Sequence, residues 1–140
     1  MGRLLAIDYG LKRTGLAVTD PLRIIASALE TVDSAQLVAF LKKYFDREPV
    51  DEVVIGLPKK LNNEDSEIAP AVRVFITEFQ KHFPSKPIVT WDERFTSSMA
   101  QQAMISGGMK KKDRQVKGNA DKISATLILQ NYMDFKSRRM

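Results

Sequence analysis

The order of strand-like and helix-like segments predicts an α/β fold, in which one mixed five-stranded sheet carries helices on both faces. The first three strand-like segments follow one another with only short polar turns between them, which is typical of an antiparallel meander. Helix-like and strand-like segments then alternate, which is typical of crossovers between parallel strands. A chain of 140 residues can bury a core of its own, so we expect a single domain over residues 1–140.

The limits of these elements follow from the spacing of apolar residues and from the turn-forming residues between them. The first segment is an almost unbroken apolar run that ends at Asp8, as expected of a strand buried on both faces. Asp33 and Ser34 are expected to cap the first helix, which Pro49 ends. Strands are predicted over residues 3–9, 16–19, 24–32, 53–58 and 88–91, a polar loop over 59–67, and later helices over 68–84, 96–106 and 119–135.

The composition excludes several kinds of site. The chain has no cysteine, which excludes disulfides, thiolate nucleophiles and zinc–cysteine clusters. Its one histidine, His82, precedes Phe83 and Pro84 at a predicted helix end and is expected to cap the last carbonyl groups rather than bind a metal. Any bound metal would need oxygen ligands, which favours Mg²⁺ or Mn²⁺.

The charge favours an anionic partner. The formal net charge is +5 and the pI is near 9.5, a bias towards partners such as nucleic acid. The apolar run at the N-terminus is too short for a signal peptide, and no stretch is long enough to span a membrane. We therefore expect a cytoplasmic protein without a membrane partner.

Three acidic positions are predicted to meet at one edge of the sheet. Asp8 and the pair Asp92-Glu93 follow the carboxyl ends of their strands, where sites form in sheets of this type. Asp121 lies near the start of the last helix, on the same face as the apolar residues that should pack on the sheet. Singly, these residues could bond a turn, begin a solvated loop or complement a helix dipole. Together they predict a carboxylate site for Mg²⁺ or Mn²⁺ of the kind that hydrolyses phosphodiesters.

Basic and hydroxyl residues near these acids are predicted to contact phosphates. Thr96, with the two serines after it, offers hydroxyl and N–H groups at a helix start. The basic segment 109–117 is expected to grip a nucleic-acid backbone, or else to be a solvated loop. Trp91 and Tyr9 are expected to pack in the core. The predicted phosphate-binding residues are Lys12, Arg13, Arg94, Thr96, Lys110, Lys111, Lys112, Arg114 and Lys117.

Four segments resemble the YqgF (RuvX) family in the same order. They are Ile7-Asp8-Tyr9-Gly10-x-Lys12-Arg13-x-Gly15, Val54-Ile55-Gly56-Leu57-Pro58, Asp92-Glu93-Arg94-Phe95-Thr96-Ser97 and Asp121-x-x-Ser124-Ala125. The resemblance implies an RNase H-like fold related to the RuvC resolvases. It also implies a bacterial nuclease that acts either on Holliday junctions or on the 5′ end of pre-16S rRNA. The family's acidic residues correspond to Asp8, Glu93 and Asp121; Glu93 is preferred to Asp92 because its side chain is longer.

Two other classes of function begin from the same residues. The Asp8-x-Gly10 strand and its hairpin also resemble the first phosphate motif of actin-like ATPases, but those proteins need two such domains and a second phosphate hairpin. A module that binds nucleic acid or ribosomal particles without catalysis would need only the basic residues. The sequence leaves open whether the substrate is an rRNA precursor or branched DNA, and whether the protein is a monomer or a homodimer.

Overall fold

The structure is a computed structural model that describes the backbone of residues 2–57, 68–92 and 119–138, with the side chains of 2–57, 68–91 and 123–136. The described chain forms a five-stranded sheet and three α-helices. The strands are β1 (Arg3–Asp8), β2 (Arg13–Thr19), β3 (Ala26–Asp33), β4 (Val50–Leu57) and β5 (Ile88–Asp92). The helices are α1 (Leu37–Arg47), α2 (Ala69–His82) and α3 (Asn119–Arg138), and a 3-10 turn, Ser34–Gln36, precedes α1.

The sheet has the predicted mixture of antiparallel and parallel pairs. Its strand order is β3-β2-β1-β4-β5. The meander β1-β2-β3 is antiparallel, whereas β1, β4 and β5 are parallel to one another. The expected mixed α/β architecture is confirmed. Among the described residues, no helix is both long and apolar enough to cross a membrane.

Three strands begin at residues other than those predicted, and four strand ends are displaced by one residue. β2 begins at Arg13 because the chain there already pairs with Asp33 of β3. β3 begins at Ala26 because the Asp20 carboxylate accepts bonds from the N–H groups of Ile24 and Ile25, at 2.7 and 2.9 Å, and holds them in a turn. β4 begins early, at Val50, where it pairs with the first residue of β1. In each case a contact with another part of the chain sets the limit.

The two faces of the sheet have separate apolar cores. Leu5 and Ile7 of β1 point towards α1 and α2, whose buried residues include Leu41 and Phe79. Leu4 and Ala6 point towards α3. Of the described side chains of α3, those of Ala125, Ile128, Leu129 and Tyr132 are buried, which confirms the predicted inner face at Ala125, Ile128 and Tyr132, whereas Phe135, which the same spacing places on that face, is 43% exposed. Within each regular stretch of strand, successive residues therefore alternate between the α1/α2 side and the α3 side, and register shifts in the β1–β4 and β2–β3 pairs interrupt this alternation.

The expected cap of the first helix is wrong. Neither Asp33 before the 3-10 turn nor Gln36 before α1 makes a capping bond with its side chain. The Ser34 hydroxyl instead donates a hydrogen bond to the carbonyl oxygen of Gly10. It is drawn away from the helix because the loop between β1 and β2 offers a carbonyl within reach. The predicted loop 59–67 and helix 96–106 lie outside the described residues.

The direction of α3 across the sheet follows from its contacts. Near its C-terminal end, the Tyr132 hydroxyl donates a bond to Glu52 at the start of β4, and Lys136 Nζ lies 2.8 Å from the same carboxylate. The C-terminal end of α3 thus contacts the start of β4, and we expect its N-terminal end towards the edge where the parallel strands finish.

Candidate active site

The carboxyl ends of the three parallel strands lie at one edge of the sheet. The strands finish at Asp8, Leu57 and Asp92, and the register places Ile7, Ile55 and Thr90 in one row across β1, β4 and β5. In open α/β sheets this edge is where binding and catalytic sites form. The prediction that two of the acidic segments follow strands ending at a common edge is confirmed by this register.

Asp8 faces the α3 side of the sheet. Leu4 and Ala6, which precede it at intervals of two, belong to the α3 core, and side chains alternate along a strand. Tyr9, the next residue, packs on the opposite side, where its ring stacks on Phe75 with the ring centroids 5.1 Å apart. The expectation that Tyr9 packs in the core is confirmed. Asp8 itself is partly buried.

The two positions beside Asp8 are glycines. Asp8 pairs with Gly15 of β2, and Gly56 of β4 follows the residue that pairs with Ile7. Neither glycine has a side chain, so on this face Asp8 projects between two bare backbone positions. In the sequence, Gly15 immediately precedes the predicted strand 16–19 and Gly56 lies within the predicted strand 53–58. Their common position in the register with Asp8 becomes visible only when the strands are paired.

Lys12 lies in the loop after β1 and Arg13 is the first residue of β2, so both lie beside Asp8 in the chain, as predicted. Lys12 is exposed, and Arg13 begins β2 two positions before Gly15, on the α3 side. The loop that carries them is tight, because a Cβ atom on Gly10 would collide with the carbonyl oxygen of Arg13. The structure therefore holds a cationic loop directly beyond the end of β1.

The start of α3 is expected at the same edge. The Tyr132 hydroxyl bonds Glu52, which pairs with Leu4 in the sheet. At about 1.5 Å per helical residue, Asp121 comes about 16 Å before Tyr132 along α3. At about 3.3 Å per strand residue, Asp8 comes about 13 Å beyond Leu4 along β1. These lengths are similar, so a helix that runs along the strands would bring Asp121 to the height at which β1 ends, and its place at this edge stays a prediction.

The end of β5 packs against α3. The ring of Trp91 contacts Tyr132 and Phe135 edge-on, with centroids 6.0 and 5.6 Å apart, so the expected packing role of Trp91 is confirmed. The described side chains of β5 end at Trp91. Several predicted site residues lie outside the description of side chains: Asp92, Glu93, Arg94, Thr96, Lys110, Lys111, Lys112, Arg114, Lys117 and Asp121.

His82 takes no part in this edge. It is the last residue of α2, as expected, but its Nε2 lies 3.6 Å from the Glu78 carboxylate rather than on a carbonyl group of the helix. The carbonyl of Phe79 is instead bonded by the N–H of Phe83, at 2.8 Å. Since the described side chains include no group of three metal-ligating residues, the full carboxylate set remains a prediction.

Two described carboxyls with perturbed pKa values, those of Asp20 and Asp51, lie at the opposite edge. The N–H of Ile25 lowers the pKa of Asp20, and the N–H of Gly2 lowers that of Asp51, with a smaller contribution from Arg23. These bonds tie loops to the N-terminal ends of the parallel strands. Here a lowered pKa marks a structural contact, which is a known alternative to a functional site.

Structural similarity defines the class of fold. The chain is similar to RuvC of Thermus thermophilus solved with a Holliday junction substrate, with a TM-score of 0.60 and 16% identity over 98% of both chains. A second T. thermophilus RuvC structure gives a TM-score of 0.55 and 15% identity over 96% of both chains. At these identities the similarity shows the fold alone, and that fold is RNase H-like.

Sequence similarity defines the family. A profile of the RuvX family, described as "Holliday junction resolvase", matches residues 2–135, and the chain belongs to this family of nucleases. A relative from Phocaeicola vulgatus is 52% identical over 97% of this chain and 98% of its own length. One from Parabacteroides distasonis is 51% identical over the whole of both chains. Both relatives carry the name "Putative pre-16S rRNA nuclease".

Proposed function

We propose that this protein is a metal-dependent nuclease that hydrolyses phosphodiester bonds while processing the 5′ end of pre-16S rRNA. The observation that carries the proposal is the position of Asp8. It ends a central parallel strand, faces α3, and has a glycine on each neighbouring strand. The relatives about 50% identical to this chain supply the proposed substrate.

Asp8, Glu93 and Asp121 are the proposed carboxylate ligands. The height of Asp121 along α3 supports its place in the set. Trp91 supports Glu93 over Asp92, because Trp91 packs on the α3 side and positions two apart in an extended chain share a face. The distance from β1 to β5 is two strand spacings, about 10 Å, which also favours the longer side chain.

The donor chemistry fits Mg²⁺ or Mn²⁺. Aspartate and glutamate supply only oxygen, the ligand that these ions prefer. The one histidine lies at the end of α2, on the far side of the sheet from Asp8. A bound ion would activate the attacking water and neutralise charge on the scissile phosphate. The carboxylates would hold the ion, and Asp8 would do so from a strand paired on both sides.

The cationic residues would bind and orient the substrate. Lys12 and Arg13 stand on the loop next to Asp8 and suit the phosphates beside the scissile bond. Arg94, Thr96 and the basic segment 109–117 are proposed to contact the backbone further away; the segment's basic residues are Lys110, Lys111, Lys112, Arg114 and Lys117. Backbone contacts give affinity without reading sequence, so selection of the site would come from the shape of the nucleic acid.

Holliday junction resolution is the second candidate function, favoured by the description of the family. It requires two active sites that cut two strands symmetrically, and hence a homodimer. Processing of an rRNA end needs one site and is compatible with a monomer that binds ribosomal particles.

A direct assay separates these functions. Purified protein would be incubated with Mg²⁺ or Mn²⁺ and one of three labelled substrates: an RNA spanning the 5′ end of 16S rRNA, a four-way DNA junction, or an unstructured RNA. We expect cleavage of the first, with no product in EDTA. If the four-way junction is the only substrate cleaved, and is cleaved by symmetric nicks, the proposed function becomes junction resolution instead of rRNA processing.

The proposed ligands are tested in this assay by the variants Asp8→Asn, Glu93→Gln and Asp121→Asn. Asp92→Asn tests whether Asp92 or Glu93 is the ligand. Asp51→Asn, an exposed acid at the opposite edge, is the matched control. Cleavage at the wild-type rate by Asp8→Asn would reject the metal mechanism. Binding of RNA without cleavage by any form would favour a non-catalytic module.

A further inference from the structure

Ser34 connects the end of β3 to the loop between β1 and β2. Its hydroxyl donates a hydrogen bond to the carbonyl oxygen of Gly10, and its N–H donates to the carbonyl oxygen of Lys12 at 2.9 Å. Its Oγ also lies 2.8 Å from the Thr14 hydroxyl. Ser34 thus bonds the loop at its beginning, at its tip and at its end.

The number of hydroxyl hydrogens decides which group donates in each of the two side-chain bonds. Ser34 has a single hydroxyl hydrogen, and the Gly10 carbonyl can only accept. The Thr14 hydroxyl must therefore be the donor to Ser34 Oγ. Thr14 is fully buried, so the loss of its acceptor would leave a buried donor to be satisfied elsewhere. Replacement of Ser34 by alanine removes both side-chain bonds at once.

The tip of the loop is exposed. Leu11 is 72% exposed and Lys12 is exposed, so the tip makes little use of apolar packing. Gly10 has no side chain, and a Cβ atom there would meet the Arg13 carbonyl. The bonds from Ser34 therefore hold the loop at points where apolar packing does not.

We propose that Ser34 is a positioning residue, which holds Lys12 and Arg13 beside Asp8 so that they bind phosphates of the substrate. This inference rests on the proposed function, because it assumes that nucleic acid approaches the end of β1. The backbone of β1, which ends at Asp8, is paired with β2 on one side and with β4 on the other. Loss of Ser34 should thus weaken substrate binding more than the chemical step.

The test compares Ser34→Ala with Ser34→Thr, which keeps a hydroxyl, and with Ser27→Ala, which changes an exposed serine of β3. Cleavage kinetics of the 5′ pre-16S RNA and binding of the same labelled RNA would both be measured. For Ser34→Ala we expect KM and Kd to rise about three- to tenfold, as for lost phosphate contacts, with kcat within about twofold of wild type. Ser34→Thr should recover most of the binding, and Ser27→Ala should behave as wild type.

A double-mutant cycle distinguishes positioning from stability. If Ser34 acts through the loop, Ser34→Ala should have little further effect on Kd in a Lys12→Ala background. A purely structural role would give additive effects, and additive effects, or an unchanged Kd in Ser34→Ala, would overturn the inference. If Ser34→Ala does not fold, Thr14→Val removes one bond of the same set and replaces it in the cycle. Should no form cleave RNA, the binding data still decide the role of Ser34, while the proposed catalysis fails separately.

Discussion

The two edges of the sheet use charged residues in different ways. At the N-terminal edge of the parallel strands, charged side chains join segments that are distant in sequence. Lys136 at the end of α3 bonds Glu52 of β4, with the help of Tyr132. The ion pairs at this edge are Arg3–Glu48 at 3.4 Å, Arg23–Asp51 at 2.7 Å and Lys136–Glu52 at 2.8 Å.

At the C-terminal edge, backbone pairing and backbone hydrogen bonds hold the chain in place, and the charged side chains project from that backbone. Asp8 ends a strand that is paired on both sides, and Lys12 is exposed on a loop bonded through its carbonyl groups. Charges at one edge therefore join distant segments of the fold, and we propose that those at the other edge bind nucleic acid. Substitutions should therefore separate stability from activity.

The largest expected effect is that of Asp8→Asn on cleavage. We expect a loss of at least about a hundredfold, because groups that merely support a metal ligand are already worth about 10–100-fold. The free energy of unfolding should change by less than about 1 kcal/mol, since the substitution keeps the size of the side chain. Rates on the RNA substrate and urea unfolding curves would check both. If Asp8→Asn lost stability but kept activity, charged residues at the two edges would not differ in the proposed way.

Glu52→Ala should show the reverse pattern. It removes the acceptor of both Tyr132 and Lys136, and we expect the free energy of unfolding to fall by about 1–3 kcal/mol. The rate of cleavage well below the melting temperature should stay within about twofold. Chemical denaturation and kinetics would be compared with those of Glu78→Ala, an exposed acid of α2. Equal stability of the two variants would show that this contact does not anchor α3.

Lys12→Ala should weaken binding of nucleic acid by about three- to tenfold without lowering stability. The slope of log K against log salt concentration should become shallower by about 0.7–0.9, the value for one lost phosphate contact. Fluorescence titrations at several salt concentrations measure this slope. Lys43→Ala, an exposed lysine of α1, is the matched control, and an equal change in both variants would exclude a local role of Lys12.

The smallest expected effect is the pH dependence at the N-terminal edge. The pKa of Asp51 is lowered by the N–H of Gly2 and then by Arg23, so its folded-state pKa lies below its unfolded-state value. Its contribution to stability is therefore present above about pH 4 and is lost as the pH falls through the folded-state pKa. Urea midpoints between pH 6 and pH 3 should fall less steeply for Asp51→Asn than for wild type. Parallel curves would show that the pair contributes nothing.

The sequence by itself determined the architecture and the central acid. Apolar runs and turn residues were enough for the strand order in the chain, for the mixed sheet, and for the inner face of α3, because burial imposes a period on each element. They also located Asp8 at the end of a buried strand. The starts of the strands did not follow from this pattern. Pairing with Asp33 extends β2 and the bonds to Asp20 shorten β3, and neither contact changes the pattern of apolar residues.

Tertiary structure alone decided which residues stand together around Asp8. Gly15 and Gly56 flank it only because the strands pair in one register, and Ser34 bonds the neighbouring loop although local sequence made it a helix cap. A side chain with one hydrogen to donate takes the acceptor that the fold brings within reach, and that acceptor is 24 residues away in the chain. Contacts of this kind depend on the relative position of distant segments, which no local pattern encodes.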